Sequence, residues 1–272
     1  MLFMESSLNN LICSGISSKR LLNQTQLDTL HNLICPIVTD GQKGSHGVAK
    51  DCQALRLRYG FNRWPVTDQE KQFPLAFSFK LHKAPSMFER LLSVVWRPHN
   101  IYCVHVDSKT PPDIFWRIAN VTACFPNVML TQTRINVVYA SITSLFADIE
   151  CTKLALQSSV QWKYHINLCG QDFPLKTNLE IVQILTALNG TNDVENYSPM
   201  PSFFQISYKY KAAIRNSVNL PTKVTKAPFT DSALQIRKGS AYNCLHRRFL
   251  QWALRDEVWG KIIFQHLLFH PL

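Results

Sequence analysis

The chain has 272 residues, long enough for one sizeable α/β domain with an extension. Its 29 Lys and Arg against 18 Asp and Glu give a net charge of +11. The basic residues are scattered (Lys19-Arg20 and Arg247-Arg248 are only pairs) and no recognition motif goes with them, so no nucleic-acid partner is expected; a diphosphate or acidic glycan suits the diffuse excess.

In chain order, residues 1–18 are interrupted by Glu5, Ser6, Ser7, Asn9 and Asn10, so they carry neither a signal nor a membrane span. Residues 1–72 read as a stem-like, largely irregular segment with short helical stretches near 20–34 and 50–57. From Pro74 the pattern tightens. Leu75, Phe77, Phe79 and Leu81 alternate as a strand, and Phe88, Leu91, Leu92 and Val95 line one helix face. Residues 100–106 form a second strand ending at Asp107. Pro111-Pro112 opens a helix carrying Ile114, Phe115 and Ile118. A short third strand at 128–130 precedes a long helix at 141–158.

The stretch WKYHINLCGQDFPLKTNLE, residues 162–180, is the most informative in the chain. Trp162, Tyr164, Ile166 and Leu168 alternate with polar partners as a strand. A polar loop follows, and Thr177 with Glu180 has capping-box spacing, which starts a helix near 178. Ile181, Ile184, Leu185 and Leu188 are expected on its buried face. Beyond residue 190 the pattern loosens: Lys209 to Pro228 reads as a basic loop, and 239–254 as a turn followed by a helix. The repeated strand–helix alternation predicts an α/β fold with a mostly parallel sheet covered by helices on both faces. Such sheets bind ligands at the carboxyl ends of their strands.

Eight cysteines stand at 13, 35, 52, 103, 124, 151, 169 and 244, and none forms a C-x-x-C pair, so zinc-ligand spacing is absent. N-x-S/T triplets at Asn23, Asn120, Asn189 and Asn196 join the cysteines in favouring an oxidising, glycosylating lumen.

The 162–180 run, together with FPLAFSFKLHK, CVHVDSK, VVYAS and GSAY in the same order, resembles the core 2/I-branching β-1,6-N-acetylglucosaminyltransferases across about Cys52 to Gln265. The resemblance implies a GT-A-like nucleotide-sugar transferase fold over residues 73–265, with 266–272 an unrelated tail. It implies transfer of N-acetylglucosamine from UDP-GlcNAc to the 6-hydroxyl of galactose or N-acetylgalactosamine in O-glycans, with inversion. No metal and no further cofactor are implied, and the chain has no D-x-D motif. Implied partners are the UDP-sugar donor, an O-glycan or glycoprotein acceptor, and a second copy or family member. The implied location is the Golgi lumen on a membrane anchor, although no anchor is read in this chain.

Carried onto this sequence, the resemblance implies donor contacts at Lys80, Leu81, His82, Asp107, Ser108, Lys109 and Tyr139, and an acceptor contact at Glu195. Read alone, His82 is a packed or capping histidine and Asp107 a turn former. The resemblance also implies disulfides Cys52–Cys124 and Cys103–Cys151, with Cys169 a buried free thiol. Cys169 is not read as a nucleophile, because G-x-C-x-G is absent and no partner histidine can be assigned.

The chain departs from the family pattern beyond GSAY. The family's glutamate base lies some way further on, so Asp256, Glu257 and Trp259 in RDEVWG do not stand for it. Phe204 and Ser207 replace the basic acceptor residues, and Cys13 is left without its expected partner. The sequence-based expectation is a branching-type transferase shortened at both ends and inactive as it stands. The alternatives are a non-catalytic isoform acting through a partner or weak UDP-sugar binding, and a cytosolic basic α/β binding protein.

Overall fold

The computed structural model describes residues 3–4, 52–61, 63–138, 142–195, 208–215, 218–226 and 239–255. The first elements are β1 (Phe3–Met4), α1 (Cys52–Tyr59), α2 (Asp68–Gln72), β2 (Leu75–Leu81), α3 (Pro85–Val95) and β3 (Ile101–Val106). Then come α4 (Pro112–Ala123), β4 (Val128–Leu130), α5 (Ile142–Gln157), β5 (Tyr164–Cys169), β6 (Phe173–Pro174) and α6 (Asn178–Ala187). The last are β7 (Asp193–Val194), β8 (Tyr208–Arg215), β9 (Val218–Lys226), β10 (Asn243–His246) and α7 (Arg247–Ala253).

A six-stranded sheet has the order β4-β3-β2-β5-β10-β7. Strands β4, β3, β2 and β5 are parallel, and β10 alone runs against them, between β5 and β7. The expected mostly parallel sheet flanked by helices is therefore what forms. β1 pairs with β6, and β8 with β9, in separate two-stranded sheets.

Register gives the main sheet two different faces. One carries Leu75, Phe77, Phe79 and Leu81 of β2 beside Tyr102, Val104 and Val106 of β3 and Tyr164, Ile166 and Leu168 of β5. It packs on Phe88, Leu91 and Leu92 of α3 and Ile118 and Val121 of α4 in one apolar core. Phe77 stacks on Tyr102 with centroids 5.4 Å apart, and Phe79 meets Phe88 edge-on at 5.5 Å. Each such buried side chain stabilises the fold by roughly 1.5–3 kcal/mol.

The opposite face presents Ala76, Ser78 and Lys80, then Ile101, Cys103 and His105, then His165, Asn167 and Cys169. Helix α5 covers it. Cys103 is bridged to Cys151 of α5, and Lys80 Nζ lies 2.7 Å from Asp148 Oδ2 on the same helix. The polar partners read in β5 are thus interior groups, His165 and Asn167 being 2% and 4% exposed. A sheet sandwiched between helices buries both faces of its central strands, whatever their polarity.

The second disulfide, Cys52–Cys124, joins α1 to the end of α4. Arg56 Nη2 donates to the Cys124 carbonyl at 2.6 Å, and Tyr59 Oη donates to Glu89 Oε2. The bridges span sequence separations of 72 and 48 residues, and loops of that length are worth about 4 kcal/mol each in the chain-entropy account.

Several elements differ from the sequence reading. Helices α1 and α2, ahead of the boundary expected at residue 73, pack onto the core and belong to the folded body. α2 opens with a second capping box, Thr67 and Glu70, of the kind read correctly at Thr177 and Glu180 for α6. In α6 the inward row is Asn178, Ile181, Val182 and Leu185, whereas Ile184 is exposed. Where a basic loop is expected, β8 and β9 pair antiparallel, Tyr208–Arg215 against Val218–Lys226. Within 239–254, β10 intervenes between the turn and the helix, because the open edge of β5 supplies a pairing partner that local periodicity does not reveal. The stretch 20–34 and the tail 266–272 lie outside the described residues.

Burial holds the His165 imidazole at about 4, below its ordinary 6.5, and its Nε2 has no hydrogen-bond partner. Between those values the unfolded chain binds a proton that the folded chain excludes. This histidine therefore weakens the fold as pH falls through that window, by on the order of 3 kcal/mol, and contributes nothing above it. His165→Phe is expected to flatten the dependence of urea-unfolding stability on pH across the window. An unchanged slope would count against the buried neutral imidazole.

Candidate functional site

The carboxyl ends of β2, β3 and β5 converge because their following loops bond to the same strand end. Asp107 N donates to the Leu81 carbonyl at 2.8 Å, and Gly170 N to the Lys80 carbonyl at 3.2 Å. A Cβ at Gly170 would stand 2.5 Å from Leu81 Cδ2, so a larger residue there would require the buried Leu81 side chain to shift. The β3 and β5 loops thus flank the end of β2, as in open α/β sheets that bind ligands at this edge.

Of the donor contacts implied by the sequence, six fall together here. Lys80 shares a register row with His105 and Cys169, but its ammonium is engaged below the rim, donating to Ser144 Oγ at 3.0 Å and Asp148 Oδ2 at 2.7 Å. Burial pushes the Asp148 carboxyl up, and the Lys80 ammonium opposes that rise. Leu81 is a core side chain. His82 is exposed at the rim, its imidazole held below the ordinary value by partial burial and then by Lys83.

Asp107 is only 6% exposed, and its carboxylate is organised by Lys109, whose amide donates to Oδ1 at 2.8 Å and whose ammonium lies 3.3 Å from Oδ2. The Lys109 ammonium also donates to Asn136 Oδ1 at 2.8 Å and to the Val137 carbonyl. Ser108 is exposed, with its amide bonded to the Ile135 carbonyl at 3.1 Å. Tyr139, the seventh, lies outside the described residues, as do Phe204, Ser207, Asp256, Glu257, Trp259, Cys13 and Cys35.

The NLCG-x-D and GSAY motifs, far apart in sequence, meet in the fold. Asn167 Nδ2 donates to the Ala241 carbonyl at 2.7 Å, and its Oδ1 accepts from Asn243 N at 2.9 Å. Asp172 accepts from Cys169 N at 2.6 Å on Oδ2 and from Tyr242 Oη at 3.5 Å on Oδ1. These bonds bring the 239–242 turn to the β5 loop. Beyond β10, Gly239 closes on the strand end at Glu195: a Cβ on Gly239 would stand 2.4 Å from the Glu195 carbonyl oxygen. Glu195 is exposed and follows β7, which runs in the direction of β5, so it stands on the same edge.

Cys169 is a half-buried free thiol and Cys244 a buried one. Burial pushes both thiols up, Cys244 to about 12, so neither is an activated nucleophile. Among the described residues no group of three or more His, Cys, Asp or Glu side chains is placed to hold a metal ion, and no helix is long and apolar enough to cross a membrane.

A family model described as Core-2/I-branching enzyme matches residues 75–268. The beta-1,3-galactosyl-O-glycosyl-glycoprotein beta-1,6-N-acetylglucosaminyltransferase 3 of Homo sapiens is 39% identical over 210 residues, which is 77% of this chain and 47% of that protein. Number 4 of the same series in Danio rerio is 38% identical over 226 residues, 81% of this chain and 52% of that one. The enzyme of that name from bovine herpesvirus 4 (strain LVR140) is 38% identical over 245 residues, 89% of this chain and 54% of its own. The chain spans about half the length of the curated relatives it matches.

The closeness of Gly239 to Glu195 gives a direct check on this edge. Gly239→Ala forces one backbone away from the other, and overpacking of this kind costs about 1–3 kcal/mol. A lower unfolding midpoint in calorimetry is the expected result. Wild-type stability would mean that the two segments are not in contact.

Proposed function

We propose that this chain, which belongs to the Core-2/I-branching enzyme family, binds the UDP moiety of UDP-N-acetylglucosamine at the carboxyl ends of β2 and β3. The transfer assigned to it is that of N-acetylglucosamine to the 6-hydroxyl of a galactose or N-acetylgalactosamine in an O-glycan, with inversion. The observation that carries this reading is the meeting of the 107–109 and 170–172 loops at the two sides of the β2 end, next to residues 82–83, with the Asp107 carboxylate held in a fixed orientation by Lys109. Such a carboxylate can accept from the polar groups of the nucleoside. Lys83 and Lys109 bring positive charge to the same rim, and the diphosphate is assigned to that charge without a metal, in keeping with a sequence that has no D-x-D motif.

Glu195 is assigned to the acceptor side, because its place near the 239–242 turn separates it from the Asp107 loop by the width of β2, β5 and β10. In a displacement of this type a base takes the proton of the attacking hydroxyl as the diphosphate leaves, and no described residue is assigned that role. A lumenal, Golgi location is proposed from the two disulfides and the N-x-S/T triplets. Of those triplets, Asn23 and Asn196 lie outside the described residues. Asn189 is exposed in the turn after α6 at φ 47°, whereas Asn120 is half-buried in α4 and Thr122 of its triplet is 4% exposed.

Titration calorimetry of the lumenally expressed chain with UDP tests the donor reading. Saturable binding is expected, weakened about tenfold or more in Asp107→Asn, since the loss of a charge-assisted hydrogen bond costs about 1.5–3 kcal/mol. A folded chain that does not take up UDP would sink the assignment. Glycopeptide mapping of the same preparation is expected to find Asn189 occupied more fully than Asn120. Equal occupancy would remove exposure as the deciding factor.

A further inference from the structure

Arg134 lies in the segment between β4 and α5, outside the donor and acceptor sets. Its Nη2 donates to the carbonyls of Asp107 at 2.8 Å, Thr110 at 3.1 Å and Ser108 at 3.3 Å, and its Nε to that of Val106 at 3.4 Å. Its Cζ stands 4.3 Å from the centroid of the Phe115 ring. A planar guanidinium can gather several carbonyls of one turn while lying on an aromatic ring; a lysine ammonium cannot reproduce that fork.

The next residues continue the contact. Ile135 takes the Ser108 amide on its carbonyl at 3.1 Å and gives its own amide to His105 Nε2 at 3.0 Å, and Asn136 and Val137 hold the Lys109 ammonium. The turn held in this way is the one that orients the Asp107 carboxylate. Four backbone oxygens at the carboxyl end of a strand also place partial negative charge where an anionic ligand would approach. The guanidinium covers those four oxygens with a positive charge.

We propose that Arg134 is a positioning residue for the donor: it forms the 107–110 turn in advance and offsets the charge of its carbonyls, so that a nucleoside diphosphate meets a prepared, less repulsive rim. This rests on the donor-site reading above, and the two can fail separately.

The test uses the full chain, Arg134→Ala and Arg134→Lys, with UDP as the probe and amide hydrogen exchange as an independent readout. In Arg134→Ala, exchange at Ser108 and Lys109 is expected to quicken while that of β2 stays as in the wild type. UDP binding is expected to weaken about tenfold, the equivalent of one lost charge-assisted hydrogen bond. Arg134→Lys, which keeps the charge but not the fork, is expected to fall between. Millimolar guanidinium, against sodium chloride at the same ionic strength, is expected to restore part of the UDP affinity of Arg134→Ala. Equal UDP affinity in wild type and Arg134→Ala overturns the positioning role and leaves the donor reading standing. No UDP binding by the wild type overturns the donor reading, and the donor role of Arg134 with it. Unchanged exchange at Ser108 and Lys109 in Arg134→Ala overturns the clamp itself.

Discussion

β2 runs through the middle of the parallel strands with β3 on one side and β5 on the other, paired in register along its whole length. Both of its faces are covered, so each residue must satisfy either the aromatic core of α3 and α4 or the polar layer beneath α5. The first requirement is met by Leu75, Phe77, Phe79 and Leu81, all nearly inaccessible to water. Their shared burial sets the register, because a slip of one residue would exchange the apolar row for Ser78 and Lys80. The site depends on that register, which brings Asp107 and Gly170 to the carbonyls at the end of β2.

The polar layer under α5 is where the fold accepts cost. Ser78 Oγ, His105 Nδ1, Asp148 Oδ1 and His165 Nε2 are buried without a hydrogen-bond partner, and unpaired buried polar atoms are each unfavourable. The Cys103–Cys151 bridge and the Lys80–Asp148 pair hold α5 against this layer. Lys80 therefore has a structural partner at the level where a donor ligand was anticipated from sequence. The rim above it is left to His82, Lys83, Asp107 and Lys109, which differ from Lys80 in standing at or beyond the strand ends.

The elements that order this rim come from well-separated parts of the chain. Asn167 in β5 fastens the 239–242 turn, Asp172 meets Tyr242, and Gly239 closes on the strand end at Glu195. β10 enters the sheet against the direction of its neighbours, and this places the GSAY turn on the same edge as the loops after β3 and β5. The two halves of the candidate site, Asp107 on one side and Glu195 on the other, are thereby set apart across β2, β5 and β10.

The local signals were legible because they act over a few residues. Period-two apolar alternation fixed the inward rows of β2 and β5, Pro112 opened α4, and Thr177 with Glu180 started α6 at Asn178. The same Thr-x-x-Glu spacing at 67–70 starts α2, inside a stretch whose composition otherwise reads as irregular. The family motifs, too, could be read from sequence, and with them came the pairing of the four bridged cysteines. Other features depend on what lies opposite in space: whether Ile184 or Val182 of α6 turns inward, whether His165 meets water or α5, and whether residues 243–246 continue a helix or join an open strand edge. The four carbonyls under the Arg134 guanidinium belong to this second group, because no pattern in the residues around 134 reveals a turn more than twenty positions earlier. Periodicity and capping are properties of neighbouring residues and so are written into the sequence; burial of polar groups, edge pairing and clamping across loops are properties of distant ones, and only the packed chain decides them.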